Sequence, residues 1–326
     1  MSETRVVMIS NPTSGNNRKR WSWIEARIAA HPQLVHHVTR SLADAAALLP
    51  QLAAERPDVL VINGGDGTIA ATLGMILDHW PEGAPPLVMV LPGGTANMTV
   101  GDIGIASSQK RAVKRVLRWL DDGAKMTGEV RTRHVMRVEG AADGQIRHGM
   151  FMGTGAIMQA TRFAHSDVHS KGLGGEISLG LTLARALWGL TRKDPRFYQP
   201  TPLRLRLIGA GGTTERDTAP MLIVVLSTLE RLFLGIRPFW SVRDGAIGLT
   251  TIRGGARHLA RGIGSLLRGR PNRFVTAENG YESFRGDRIA LHLDGELNLD
   301  GEVFAATADR PLVITAAGPI RFLRPR

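Results

Sequence analysis

The stretch Asn63-Gly64-Gly65-Asp66-Gly67-Thr68 sets glycines, a carboxylate and a hydroxyl directly after the apolar run Val59-Leu60-Val61-Ile62. Glycines there let backbone N–H groups approach an anion closely, and a following helix aims its positive end at it. A carboxylate inside such a cradle is unfavourable unless it holds a metal ion or a sugar hydroxyl. That combination points to a nucleotide phosphate site. Taken alone, the loop also fits a tight strand-to-helix turn capped by Asp66.

Two further loops share this chemistry. Val6-Val7-Met8-Ile9 runs into Asn11-Pro12-Thr13-Ser14-Gly15-Asn16-Asn17, and Leu87-Val88-Met89-Val90-Leu91 runs into Pro92-Gly93-Gly94-Thr95-Ala96-Asn97. In an open parallel sheet such loops gather at the carboxyl edge of the strands, where ligands bind. Near the C-terminus, Leu-Asp-Gly-Glu occurs twice, at residues 293–296 and 299–302. Two carboxylates around a glycine could take a proton from an attacking hydroxyl. The same tetrapeptide is also an ordinary Asp-Gly hairpin signal.

The elements that must hold these loops are legible in the spacing of apolar residues. Up to residues 127–129, short apolar runs (6–9, 35–38, 59–62, 87–91) alternate with helical stretches (21–31, 42–55, 69–79). Alternation of this kind predicts βα units around a parallel sheet. Beyond it, strand patterns dominate at 134–138, 148–152, 203–208, 221–226, 247–252, 273–277, 288–293 and 312–315. Helical pieces interrupt them at 177–191 and 257–267. The expected fold is an α/β N-terminal domain followed by a mainly antiparallel β domain, with the active site in the cleft between them.

The motifs resemble those of the diacylglycerol kinase catalytic-domain family, which includes bacterial lipid kinases and sphingosine and ceramide kinases. The residues that carry the resemblance are NPTSG at 11–15, GGDGT at 64–68, PGGTAN at 92–97 and the late DGE. GGDGT alone is shared with NAD kinases, whereas the set of four is far more specific. The resemblance implies an N-terminal sheet of NAD-kinase type over residues 1–128, rejoined by 311–326, and a lipid-substrate domain over 129–310. It implies ATP and Mg²⁺ as cofactors, with phosphoryl transfer to a hydroxyl of a diacylglycerol- or sphingoid-like lipid.

Carried over position by position, Asn11, Ser14, Gly15 and Thr39 would lie along the nucleotide. Gly64, Gly65, Asp66, Gly67 and Thr68 would cradle phosphates, and Gly94, Thr95 and Asn97 would close the far side. Asp66 would serve the Mg²⁺–phosphate unit rather than folding. The family often has Asp where this chain has Met98. Of the two late copies, the second precedes an arrangement like the family's terminal strands, which makes Glu302 the expected proton acceptor with Asp300 beside it. Asp294 and Glu296 are expected on a turn. Asp244 and Ala246 resemble a family segment that holds a structural Mg²⁺, although Arg243 takes the place of a first acidic residue. Two other readings stay open: an NAD kinase, and a catalytically silent nucleotide- or lipid-binding regulator.

Composition narrows the field. The chain has 326 residues, 43% of them hydrophobic, enough for one large core or two ordinary ones. It has no cysteine, which excludes disulfides, thiolate zinc sites and a Cys nucleophile. No GxxxxGK[ST] loop occurs, so a Walker-type site is absent. The apolar run after Glu3 and Arg5 is too short for a signal peptide, and the closest approach to a membrane span, 177–190, is broken by Arg185. His165 and His169 are four apart but no HExxH accompanies them, and His36-His37 reads as a strand edge.

The net charge of +12 allows anionic partners, and its placement is informative. Arg111, Lys114, Arg115 and Arg118 fall on one helical face, and Arg253, Arg257, Arg261 and Arg268 are expected on another. Such faces suit either solvent or an anionic membrane surface. With two tyrosines and no aromatic residues between the arginines, nucleic acid is not an expected partner. The expected partners are a lipid substrate and the cytoplasmic membrane surface, with a peripheral, cytoplasmic location and room for a homodimer. Apolar residues such as Phe151, Met158, Phe163, Leu232 and Trp240 suit an acyl groove and a core equally.

Overall fold

A computed structural model of the chain describes residues 4–80, 84–171, 176–209, 212–242 and 244–325. The chain divides into two compact units, Met1–Arg133 with Gly318–Arg326, and His134–Ala317. It passes from one to the other inside the strands Gly128–Glu139 and Leu312–Pro325.

The first unit is built on β1 (Val6–Ser10), β2 (Val35–Val38), β3 (Val59–Gly64) and β4 (Leu87–Pro92). All pairs are parallel, in the order β2-β1-β3-β4, and the end of the C-terminal strand joins β4 through Phe322 and Val88. β1 and β3 are buried along their whole length, as a parallel sheet covered on both faces requires. Helices α1 (Gly15–Arg18), α2 (Trp21–Ala29), α3 (Leu42–Glu55), α4 (Asp66–His79), α5 (Met98–Ile103) and α6 (Gln109–Asp121) connect the strands or follow them. Ser41 and Asp44 form a reciprocal capping box at the start of α3, fixing where that helix begins. On α6 the expected split is present: Val113, Val116, Leu117 and Leu120 are buried while Arg111, Lys114, Arg115 and Arg118 are exposed.

β5 (Gly128–Glu139) leads into the second unit, which holds β6 (Arg147–Gly149), β7 (Phe151–Gly155), β8 (Thr201–Gly209), β9 (Gly212–Ser227) and β10 (Ile247–Arg253). β11 (Tyr281–Gly286), β12 (Arg288–Leu293), β13 (Gly295–Leu299), β14 (Glu302–Ala306) and β15 (Leu312–Pro325) complete it. Pairing is antiparallel, with β14-β13-β7-β9-β8-β12-β15 as the main path and β10 and β11 branching from β9. Met152, Leu205, Val224, Leu249, Leu291 and Ile314 form its principal core. A second core joins Leu190, Phe197, Leu222, Leu259 and Tyr281 beneath α7 (Ala156–Lys171), α8 (Glu176–Thr191) and α9 (Leu259–Leu266).

Three expectations need correction. Residues 273–277 form turns, because Asn272 Oδ1 accepts the Phe274 N–H at 3.0 Å and Asn279 Nδ2 donates to the Phe274 carbonyl at 3.1 Å. Those side chains occupy backbone groups that a strand would have paired. The strand expected at 148–152 is broken at Met150, whose carbonyl accepts from Ser227 Oγ at 2.6 Å. Finally, Arg253 ends β10, Arg257 lies in a turn and Arg268 follows α9, so only Arg261 of that set is helical. The four arginines share no helical face. The side chains of His165 and His169, and Arg243, lie outside the described residues.

Candidate active site

The three motif loops meet in the first unit because β1, β3 and β4 end side by side, with Ser10 opposite Asn63 and Gly64 opposite Pro92. Asn11 ties the first loop to the second: its N–H donates to the Asn63 carbonyl at 3.0 Å and its Nδ2 to Thr68 Oγ1 at 3.1 Å. Ser14 Oγ accepts the Gly65 N–H at 3.2 Å. Asn17, fully buried, donates to the carbonyls of Asn11 at 2.7 Å and Asn63 at 2.9 Å. The third loop joins through Gly93, whose N–H donates to the Gly64 carbonyl at 3.1 Å and whose carbonyl accepts the Asn16 N–H at 2.8 Å.

Glycine is required where these loops touch. A Cβ on Gly94 would stand 2.6 Å from the Gly65 Cα, and one on Gly93 would stand 2.9 Å from the Gly64 N and Cα. Backbone meets backbone there, so no side chain can swing aside. At Gly15 the neighbour is a side chain instead, with a Cβ position 2.6 Å from Thr95 Oγ1. The expected nucleotide residues are thus brought together: Asn11, Ser14, Gly15, Gly64, Gly65, Gly67, Thr68, Gly94, Thr95 and Asn97. Thr95 is exposed, and Gly65, Gly67 and Thr68 are half-buried. α4 begins at Asp66 with no side-chain cap on its N-terminus, leaving its first N–H groups for an anion.

Asp66 departs from the sequence reading. Its carboxylate is buried, and its two oxygens accept the N–H groups of Met98 at 3.1 Å and Thr99 at 2.9 Å. It therefore caps α5 and has a folding role, which the sequence reading withheld from it. Burial pushes its carboxyl above the usual range, and the hydrogen bonds at the start of α5 pull the other way. Asn97, the residue before α5, adopts a left-handed backbone and exchanges hydrogen bonds with Gly94, at 2.9 and 3.0 Å. It holds the third loop closed, and the carboxylate that caps the helix comes from Asp66.

Thr39 is buried beside the loops, its N–H on the Ser10 carbonyl at 3.0 Å. Sequence reasoning missed the polar group beneath them: Ser10 Oγ meets His36 Nε2 at 3.0 Å and accepts from Asn63 Nδ2 at 3.2 Å. Burial, with His37 as a lesser contributor, lowers the His36 pKa to about 4. The unfolded chain takes up that proton near 6.5 while the folded one refuses it until about 4. Stability from this group is therefore complete above pH 6.5 and is lost as pH falls towards 4. Thermal melts between pH 4 and 7 should show a steeper acid loss for the wild type than for His36→Gln.

In the second unit the two LDGE copies differ. Asp300 and Gly301 form the two-residue turn between β13 and β14, with φ of 49° and 100°. Positive φ at both positions is the demand that Asp-Gly meets in a hairpin. Both Asp300 oxygens accept backbone N–H groups, from Met150 at 2.7 Å and Phe151 at 3.1 Å. Glu302 follows the turn and is exposed. Glu296 lies on strand β13, not on a turn as expected, and pairs with Arg162 of α7.

The expected structural Mg²⁺ segment offers little. Asp244 is exposed, and the Ala246 N–H donates to Asp287 Oδ1 at 2.8 Å. Among the described residues no group of three His, Asp or Glu side chains is placed to hold an ion.

Residues 5–126 match the diacylglycerol kinase catalytic domain family. The match spans all three loops of the site. The chain is also similar to a crystal structure of a diacylglycerol kinase from Bacillus anthracis str. Sterne, at 19% identity over 99% of this chain and 98% of that one, with a TM-score of 0.63. A crystal structure of a putative diacylglycerol kinase from the same organism is similar at 17% identity, again over 99% and 98%, with a TM-score of 0.63. At these identities the likeness shows the fold: an N-terminal α/β part with parallel strands and a C-terminal antiparallel β part. Among curated proteins none matches significantly.

Proposed function

We propose that the chain is a lipid kinase that transfers the γ-phosphate of ATP to a hydroxyl of a diacylglycerol- or sphingoid-like lipid. The observation that carries this reading is the three-loop cradle within the segment that matches the diacylglycerol kinase catalytic domain. Phosphoryl transfer asks a protein mainly for positioning and charge stabilisation. The contact of Gly94 with Gly65 holds two loops at backbone distance, and the uncapped start of α4 supplies N–H groups for phosphate oxygens. Asn11, Ser14 and Asn97 fix the loops by hydrogen bonds, so the donors need not reorganise when the nucleotide arrives. Mg²⁺ would arrive on the ATP phosphates as part of the substrate.

Glu302 is the proposed proton acceptor for the lipid hydroxyl. Its exposed carboxylate supports this, and so does the anchoring of its turn by Asp300, whose own oxygens are taken by backbone N–H groups. Asp300 is thereby a positioning residue. The test is incubation of the purified chain with labelled ATP and Mg²⁺ against diacylglycerols, sphingoid bases, ceramide and NAD. Label in a lipid supports the reading. Label in NAD alone would replace it with the NAD kinase reading, and label in none would favour a silent binding protein.

A further inference from the structure

The apolar run at 177–190, broken by Arg185, lies in α8, and that helix is apolar on two sides. Thr182, Ala186, Gly189 and Leu190 are buried, with Ala186 and Leu190 in the core beside Phe197 and Leu222. On the other side Leu181 is 61% exposed and Trp188 is 60% exposed, one helical stripe with Ala184 and Arg185 between them. Leu234, 69% exposed and carried in a left-handed turn, lies against the same helix, its Cδ1 3.8 Å from the Cβ position of Gly180. A helix in a water-soluble fold needs one apolar stripe, and the second calls for a partner.

Charge identifies that partner. Residues 179–193 contain Arg185, Arg192 and Lys193 and no acidic residue. All three are exposed, as is Arg231 before Leu234. The next acid, Asp194, is hydrogen-bonded by Arg196 at 2.6 Å. Arg192 stacks on Trp188, its Cζ 4.5 Å from the ring centroid, so a cation and an aromatic face are presented together. Indole rings settle at the boundary between acyl chains and headgroups, and neighbouring arginines meet anionic phosphates there. Among the described residues no helix is long and apolar enough to cross a membrane.

We infer that the outer face of α8, with Leu181, Trp188, Arg185, Arg192 and the adjoining Leu234, docks on an anionic lipid bilayer surface. The inference accords with the lipid kinase reading and extends it, but its test reads binding rather than turnover. The full chain would be sedimented with vesicles of phosphatidylcholine alone and of phosphatidylcholine mixed with phosphatidylglycerol. Wild type should prefer the anionic vesicles, and added salt should weaken that preference. Leu181→Ser with Trp188→Ala should lower partitioning by about tenfold or more. Arg185→Gln with Arg192→Gln should lower it by about fivefold for each arginine removed, on anionic vesicles only. Because these side chains are exposed, the melting temperatures of the variants should stay near wild type.

Unchanged vesicle binding in both double variants would overturn the inference. So would loss of a wild-type dimer in the Leu181/Trp188 variant with vesicle binding intact, because the occupant of the face would then be a second copy. Phosphorylation of a short-chain, monomerically soluble diacylglycerol separates the two readings. If wild type phosphorylates no acceptor, the kinase reading fails while the vesicle result stands.

Discussion

Glu302→Gln is expected to lower kcat by about two to four orders of magnitude, the range over which a positioned general base acts. KM for ATP should change little, because the lost interaction belongs to the hydroxyl acceptor and to the transition state. Folding should be unaffected: the Glu302 side chain is exposed, and its backbone pairing with Leu299 does not depend on the carboxylate. Glu296→Gln is the control. It removes an exposed ion pair with Arg162, a contact worth about 0–1 kcal/mol, and should behave like wild type. Initial rates with labelled ATP and lipid in mixed micelles measure both. A reversed order of penalties would move the base to the first LDGE copy.

Asp66→Asn is expected to damage both turnover and stability. The amide can offer one oxygen where the carboxylate offers two, so one of the N–H groups of Met98 and Thr99 loses its acceptor in a buried place. An unsatisfied buried donor costs about 1–3 kcal/mol. Turnover should fall by about two orders of magnitude or more, because α5 and the 94–97 loop form one wall of the proposed phosphate cradle. The pH dependence is a separate signature. With a folded-state pKa above the unfolded value of 3.8, the native protein keeps a proton that the unfolded chain has released. Stability from this group is thus present below the ordinary carboxylate range and declines as pH rises through the raised value. Thermal melts of wild type across that window should show the decline, and those of Asp66→Asn should lack it. Lost turnover with unchanged melts would mean that the carboxylate serves the substrate and does not brace α5.

Much of the first unit was legible because its signals are local. Buried parallel strands read as unbroken apolar runs, and β2 and α3 begin and end at the residues that the sequence predicts. Motif loops are legible too, since Gly93 and Gly94 stand where a Cβ would run into backbone. What could not be read is the direction of side chains. Nothing in GGDGT says that Asp66 turns away from the loop to cap a helix 32 residues later. α7 escaped notice because Gly155, at φ 69°, ends β7 and the helix starts at once, with Ala156, Ala160 and Phe163 as a faint apolar spacing. The turns at 273–277 were hidden for a different reason: Asn272 and Asn279 act on backbone groups that pattern reading assigns to a ladder.

Strand β15 begins in the second unit and ends in the first, where Phe322 pairs with Val88 and Leu323 enters the core with Met8, Val61 and Trp119. Arg324 donates to the Gly104 carbonyl across 220 residues of sequence, and Arg115 donates to the Pro325 carbonyl. On the ribosome, then, the unit that is made first is finished last. Its motif loops emerge early, but the edge of β4 waits for this partner until residues 318–325 leave the exit tunnel. Closing so distant a contact is slow, and an open strand edge is a site for wrong pairing in the meantime. The nascent chain is most exposed to misassembly during the synthesis of its second unit.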